Sequence, residues 1–206
     1  MIAIIDYGVG NLYSLSHSLT YLGIENTVTR DRQVIARADK MILPGVGAFG
    51  DARKKLSDTG MDEALLDRVK SGVPLLGICL GMQLLFMKSY EYGEHPGLGL
   101  IAGEICPLKD DLPAGMKVPQ IGWNALKFVG DSPLMRYVRE GDSVYYVHSF
   151  YAKGAGSAVK AVSEYGVEVP GLVQRDNVYG AQFHPEKSGP VGLNILKAFG
   201  EVRGVC

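Results

Sequence analysis

The run Ile2-Ala3-Ile4-Ile5 has no polar position on either side of an extended chain, and this constrains the fold more than any other feature. Alternate residues of a strand face opposite ways. Four apolar residues in a row therefore predict a strand covered on both faces, as in a parallel sheet packed between helices. Asp6, Gly8 and Gly10 close the strand, Asn11 is placed to cap a helix, and Leu12, Leu15, Leu19 and Leu22 recur at helical spacing before Gly23. The unit repeats. A strand over 40–43 precedes a glycine turn and a helical pattern through Met61, Leu65, Leu66 and Val69, and a strand over 73–78 runs into a helix over 80–88.

Beyond Gly99 the pattern becomes strand-like, in runs 144–150, 158–162 and 178–183, with a last helix opening near Pro190. These runs are expected to form an antiparallel extension of the same sheet together with strands that feed the active site. The fold class that follows is α/β. It is a three-layer sandwich with a mostly parallel central sheet, helices on both faces and an antiparallel extension, in one domain over 1–206. Chemistry in such a sheet sits at the carboxyl ends of its strands.

Composition removes several classes of function. With 206 residues and 47% of positions hydrophobic, the chain can bury a large core without staples. Twenty-one basic against 22 acidic residues give a net charge of −1, without the basic excess that nucleic acid demands. Cys79, Cys106 and Cys206 contain no Cys-x-x-Cys, so neither zinc nor a redox pair is expected and a reducing cytoplasm fits. The N-terminal apolar run meets Asp6 too early for a signal peptide, and the apolar stretch 73–82 falls well short of a membrane span.

Two glycine turns resemble nucleotide sites without their context. Gly8-Val9-Gly10 is followed by Tyr13 where a third glycine would stand. Gly45-Val46-Gly47-Ala48-Phe49-Gly50 fits Gly-x-Gly-x-x-Gly, but the next strand ends at Cys79 with no carboxylate for a ribose. No dinucleotide and no other cofactor is expected. The turn is either a tight bend or a set of backbone amides aimed at an anion.

The third turn carries chemistry. Gly77-Ile78-Cys79-Leu80-Gly81 puts a cysteine between glycines where an apolar strand meets a helix, the logic of a nucleophile elbow. Free amides at the helix start would favour the thiolate. A plain buried cysteine fits the same residues; Cys106 and Cys206 have only that reading. Of four histidines, His17 and His95 read as surface residues, and His148 and His184 end strand-like runs. Only His184 has a carboxylate nearby: on an extended segment Glu186 would lie on the same side and could hold the imidazole toward Cys79.

The segments Gly77-Ile78-Cys79-Leu80-Gly81-Met82-Gln83 and Phe183-His184-Pro185-Glu186 resemble the class I, triad-type glutamine amidotransferases. Five further segments narrow the resemblance to the glutaminase subunits of imidazole glycerol phosphate synthase. They are Asp6-Tyr7-Gly8-Val9-Gly10-Asn11, Pro44-Gly45-Val46-Gly47-Ala48-Phe49, Gly122-Trp123-Asn124, Tyr146-Val147-His148-Ser149 and His184-Pro185-Glu186-Lys187-Ser188. Gln120, where histidine is common, and Phe150, where tyrosine is usual, depart from the pattern. They bear on the docking surface and substrate pocket, not on the triad.

The resemblance implies glutamine hydrolysis by Cys79, His184 and Glu186, with oxyanion donors from Leu80 and from Val46 and Gly47. It implies that Gly45, Gln83, Glu91, His148, Ser149 and Phe150 hold the glutamine. A peptide flip at Val46 is expected to switch the oxyanion site on, flanking glycines making the rotation cheap. The pattern fills the chain, so the ammonia acceptor is expected on another chain, a (β/α)₈-barrel cyclase subunit met by Trp123, Asn124, Tyr145 and Lys187. That heterodimer would make imidazole glycerol phosphate and aminoimidazole carboxamide ribotide for histidine biosynthesis. Two rivals are weaker. A subunit of pyridoxal phosphate synthase would carry Gly-Gly-Glu-Ser in the oxyanion turn, and a non-hydrolytic redox or chaperone protein leaves His184-Pro185-Glu186 unexplained.

Overall fold

In the computed structural model, which describes residues 1–204, the N-terminal apolar run serves two cores at once. Ile2 and Ile4 pack with Leu15, Leu19, Ile195 and Phe199, whereas Ala3 and Ile5 pack with Ile35, Phe49, Leu56 and Leu65. All four run residues are at most 2% exposed. Each isoleucine buried this way contributes about 1.5–3 kcal/mol.

The chain runs β1 (Ile2–Ile5), α1 (Leu12–Tyr21), β2 (Asn26–Thr29), α2 (Arg32–Arg37), β3 (Lys40–Leu43), α3 (Phe49–Asp58), α4 (Met61–Lys70), β4 (Leu75–Ile78) and α5 (Leu80–Leu84). It continues through β5 (Phe86–Ser89), β6 (His95–Pro96), β7 (Ile101–Pro107), β8 (Gln120–Ala125), β9 (Lys127–Phe128), β10 (Ser143–His148) and β11 (Phe150–Lys153). Last come β12 (Val159–Glu164), β13 (Glu168–Arg175), β14 (Val178–Ala181) and α6 (Gly189–Glu201). The main sheet has the order β2-β1-β3-β4-β14-β13-β12-β9. Its first five strands are parallel and the rest antiparallel, the arrangement expected from the apolar runs. Two smaller sheets, β10-β8 and β11-β7-β5-β6, stand beside it. Among the described residues no helix is long and apolar enough to cross a membrane.

Several expectations need correction. The helix expected over 80–88 stops at Leu84, because Phe86–Ser89 pairs with β7 and β6; sheet pairing overrides helical spacing. The run 144–150 is two strands in two sheets, broken at Ser149. Of the late runs, 178–183 is one that feeds the site: β14 lies parallel to β4 and antiparallel to β13. Asn11 stands at the start of α1 but its side chain makes no capping bond. His95, expected on the surface, is half-buried, its ring 6.5 Å from that of Phe49. Cys206 lies outside the described residues.

Candidate active site

Three neighbouring parallel strands deliver the site. The carboxyl ends of β3, β4 and β14 carry the turn after Pro44, the residue Cys79, and the segment from Gln182 to His184. Cys79 has φ 53° and ψ −112°, a backbone conformation costing about 1–3 kcal/mol that persists only where packing enforces it. The elbow is packed closely against β3: a Cβ on Gly81 would fall 1.8 Å from the Leu43 carbonyl oxygen. The flanking glycine thus allows close approach, while Cys79 itself takes the left-handed turn. Gly45 has the same function from the other side, since its Cβ would meet the Gly81 nitrogen at 2.7 Å. The glycine turn that imitates a nucleotide fingerprint is packed directly on the elbow.

His184 and Glu186 meet, by a route the sequence did not show. The segment after His184 is a single 3-10 turn, Pro185–Lys187, rather than an extended strand, and it still brings His184 Nδ1 to 2.9 Å from Glu186 Oε1. A carboxylate only accepts, so Nδ1 carries the proton and Nε2 is left for the cavity. Both side chains are 3% exposed. The turn is tied to β10, where His184 N–H donates to the Tyr145 carbonyl and Tyr145 N–H donates to Ser188 Oγ. Burial alone would lower the pKa of His184, but hydrogen bonds and charge from Cys79 and Glu186 outweigh it and push it up to about 10. His148 is the opposite case. Burial, reinforced by the charge of His184, brings it down to about 4 despite its Nδ1–H bond to the Phe150 carbonyl, so it stays neutral.

Cys79 and His184 open on one cavity of about 350 Å³, within the range of small-molecule sites. Val46, Gly47, Leu80, Gln83, Glu91, His148, Ser149, Phe150 and Lys187 line it as well. Leu80 opens α5, so its N–H has no intrahelical acceptor, and among the described residues the Val46 and Gly47 amides bond to no other backbone group. Glu91 accepts from Phe49 N–H at 2.7 Å, and burial raises its carboxyl pKa against that bond. Gln83 donates to the Phe150 carbonyl and to Gln182, itself fully buried beside Cys79. Gln182 was missed by sequence reasoning, although it stands two residues before His184 in the same strand-end motif.

The four candidates for a partner surface divide. Trp123 is 56% exposed, its ring edge-on to Tyr145 at 5.9 Å, and Lys187 is exposed at the cavity rim. Asn124 points to the other side of β8, bonded to Gln120 and to the Glu164 carbonyl. Ile121, 60% exposed and two residues from Trp123, is the apolar neighbour that sequence reasoning passed over.

The family model described as Glutamine amidotransferase class-I matches residues 3–201, and the chain belongs to that family. The fold agrees. A solved glutamine amidotransferase superposes with a TM-score of 0.74 at 21% identity, covering 97% of this chain and 100% of the other. PurLQS from Thermotoga maritima superposes with a TM-score of 0.73 at 18% identity, covering 96% of both. Within the family the chain groups with curated proteins called imidazole glycerol phosphate synthase subunit HisH. The protein of Caldanaerobacter subterraneus subsp. tengcongensis is 48% identical over 203 residues, 98% of each chain. That of Wolinella succinogenes is 50% identical over 204 residues, 98% of this chain and all of the other.

Proposed function

We propose that this chain is the glutaminase of an imidazole glycerol phosphate synthase, hydrolysing L-glutamine to glutamate and ammonia through a Cys79–His184–Glu186 triad. One observation carries the reading: the strained Cys79 elbow shares a cavity with an imidazole whose far nitrogen is held by a buried carboxylate. The Cys79 thiolate attacks the side-chain amide carbon, and the oxyanion is met by the amides of Leu80 and of the Val46–Gly47 turn, after rotation of the Val46 peptide. The His184 imidazolium gives its proton to the departing nitrogen as the C–N bond breaks, leaving a glutamyl thioester and ammonia. Neutral His184 then takes a proton from water as it attacks the thioester; glutamate leaves and the thiolate returns. Glu91 is the candidate for the α-ammonium. Gln83 and the backbone of 148–150 shape the remainder of the amino-acid end.

Ammonia in bulk water is protonated and lost, so a separate acceptor should sit against the cavity mouth. The HisH relatives are named as synthase subunits, which supports a heterodimer with a (β/α)₈-barrel cyclase docking on Trp123, Ile121, Tyr145 and Lys187. A reducing cytoplasm suits a nucleophile that must remain a free thiol. The test is glutamate release with and without the cyclase subunit and its nucleotide ligand. Strong stimulation by the pair supports the assignment; hydrolysis indifferent to both would refute it.

A further inference from the structure

Gln182 is fully buried against the sulfur of Cys79 and has no part in the mechanism above. Strand register puts it there. In the parallel pair β4–β14, Ile78 stands opposite Ala181, and Cys79 N–H donates to the Ala181 carbonyl at 2.7 Å, so the next residue of each chain comes side by side. Gln182 Nε2 then lies 3.8 Å from Cys79 Sγ, and Gln182 Oε1 accepts from Gln83 Nε2 at 3.0 Å.

The direction of this amide is fixed by a group that cannot change roles. The Phe150 carbonyl only accepts, so the end of Gln83 lying 2.9 Å from it must be its NH₂. The same NH₂ reaches Gln182, which must therefore present oxygen to Gln83 and turn its own NH₂ to the sulfur. Among the described residues the sulfur's other hydrogen-bonding neighbour outside the triad is the Val147 carbonyl at 3.9 Å, an acceptor that suits only the S–H form. Helix α5 spans five residues and adds little macrodipole. A donor to an anion forms a stronger bond than a donor to a neutral group.

We propose that Gln182 is a positioning residue for glutamine hydrolysis: its NH₂, aimed by the relay Phe150 carbonyl–Gln83–Gln182, orients the Cys79 sulfur and stabilises its anionic form. The proposal rests on Cys79 being the nucleophile. Its test is the pH profile of Cys79 alkylation by iodoacetamide, resolved by peptide mass spectrometry on the full chain, for wild type, Gln182→Met and Gln182→Glu. Gln182→Met removes the donor and should move the profile up by about one pH unit, making alkylation about tenfold slower below both midpoints. Gln182→Glu is nearly isosteric, keeps an acceptor toward Gln83 and turns an oxygen to the sulfur, so it should move the profile further; it carries the test if the methionine variant does not fold. Superimposed profiles in a folded variant, with hydrolysis still abolished by Cys79→Ala, would overturn the role of Gln182 alone. Hydrolysis surviving Cys79→Ala would overturn the triad reading instead.

Discussion

Replacing Glu186 with glutamine removes one negative charge and leaves the shape of the side chain almost unchanged. The carboxylate accepts from His184 Nδ1 at 2.9 Å, with both side chains 3% exposed, so solvent does little to weaken the pair. A neutral acceptor gives up about 1.5 kcal/mol of charge-assisted bonding, roughly tenfold in rate. The amide can also turn its NH₂ toward Nδ1, which drives the imidazole proton to Nε2, the wrong tautomer for taking a proton from water. Together these predict a fall in kcat of about a hundredfold or more. Glu186 does not line the cavity that Cys79 and His184 share, so KM for glutamine should hold within about threefold. Stability should fall by roughly 1.5–3 kcal/mol, because the substitution takes the charge from one side of a buried pair and leaves the imidazole beside a neutral amide. The assay is steady-state glutamate release with the cyclase subunit bound, alongside a thermal unfolding curve. A folded Glu186→Gln variant with kcat within twofold of wild type would mean that the carboxylate does not set the protonation of His184.

Three further perturbations test other parts of the structure. His148, whose folded pKa of about 4 lies below its unfolded value, contributes stability that is present above about pH 6.5 and is lost as pH falls toward 4. The difference in urea unfolding free energy between wild type and His148→Gln should shrink by about 2 kcal/mol between about pH 7 and pH 5; taking the difference cancels the opposite contribution of His184, whose folded pKa is raised. Gly81→Ala places a Cβ 1.8 Å from the Leu43 carbonyl, so the elbow must move; a stability loss of roughly 3 kcal/mol or more by denaturant unfolding is expected. Trp123→Ala removes an exposed ring and should change the unfolding free energy by less than about 1 kcal/mol. It should nevertheless weaken the partner's half-maximal stimulation of glutaminase by about tenfold, measured by titration with the cyclase subunit.

What the sequence made legible was whatever depends on one segment. The doubly buried run Ile2–Ile5, the elbow at Cys79 and the pairing of His184 with Glu186 are local patterns, and each stands where its pattern put it. What it hid depends on strand pairing across the fold. The stretch Phe86–Ser89 follows a helical spacing and becomes a strand because β7 and β6 flank it. Gln182 reaches Cys79 only through the register of β14 against β4, which no local spacing encodes. The His184 motif shows a limit of a different kind: the contact with Glu186 was legible, while the 3-10 turn that makes it was not.

In the proposed reaction Cys79 releases ammonia for use by another subunit. The most direct measurement is imidazole glycerol phosphate synthesis by the Cys79→Ala protein in complex with the cyclase subunit, supplied in turn with glutamine and with ammonium salt. Glutamine-dependent synthesis is expected to disappear and ammonium-dependent synthesis to continue at the wild-type rate. Glutamine-dependent synthesis persisting in that variant would contradict that role for Cys79.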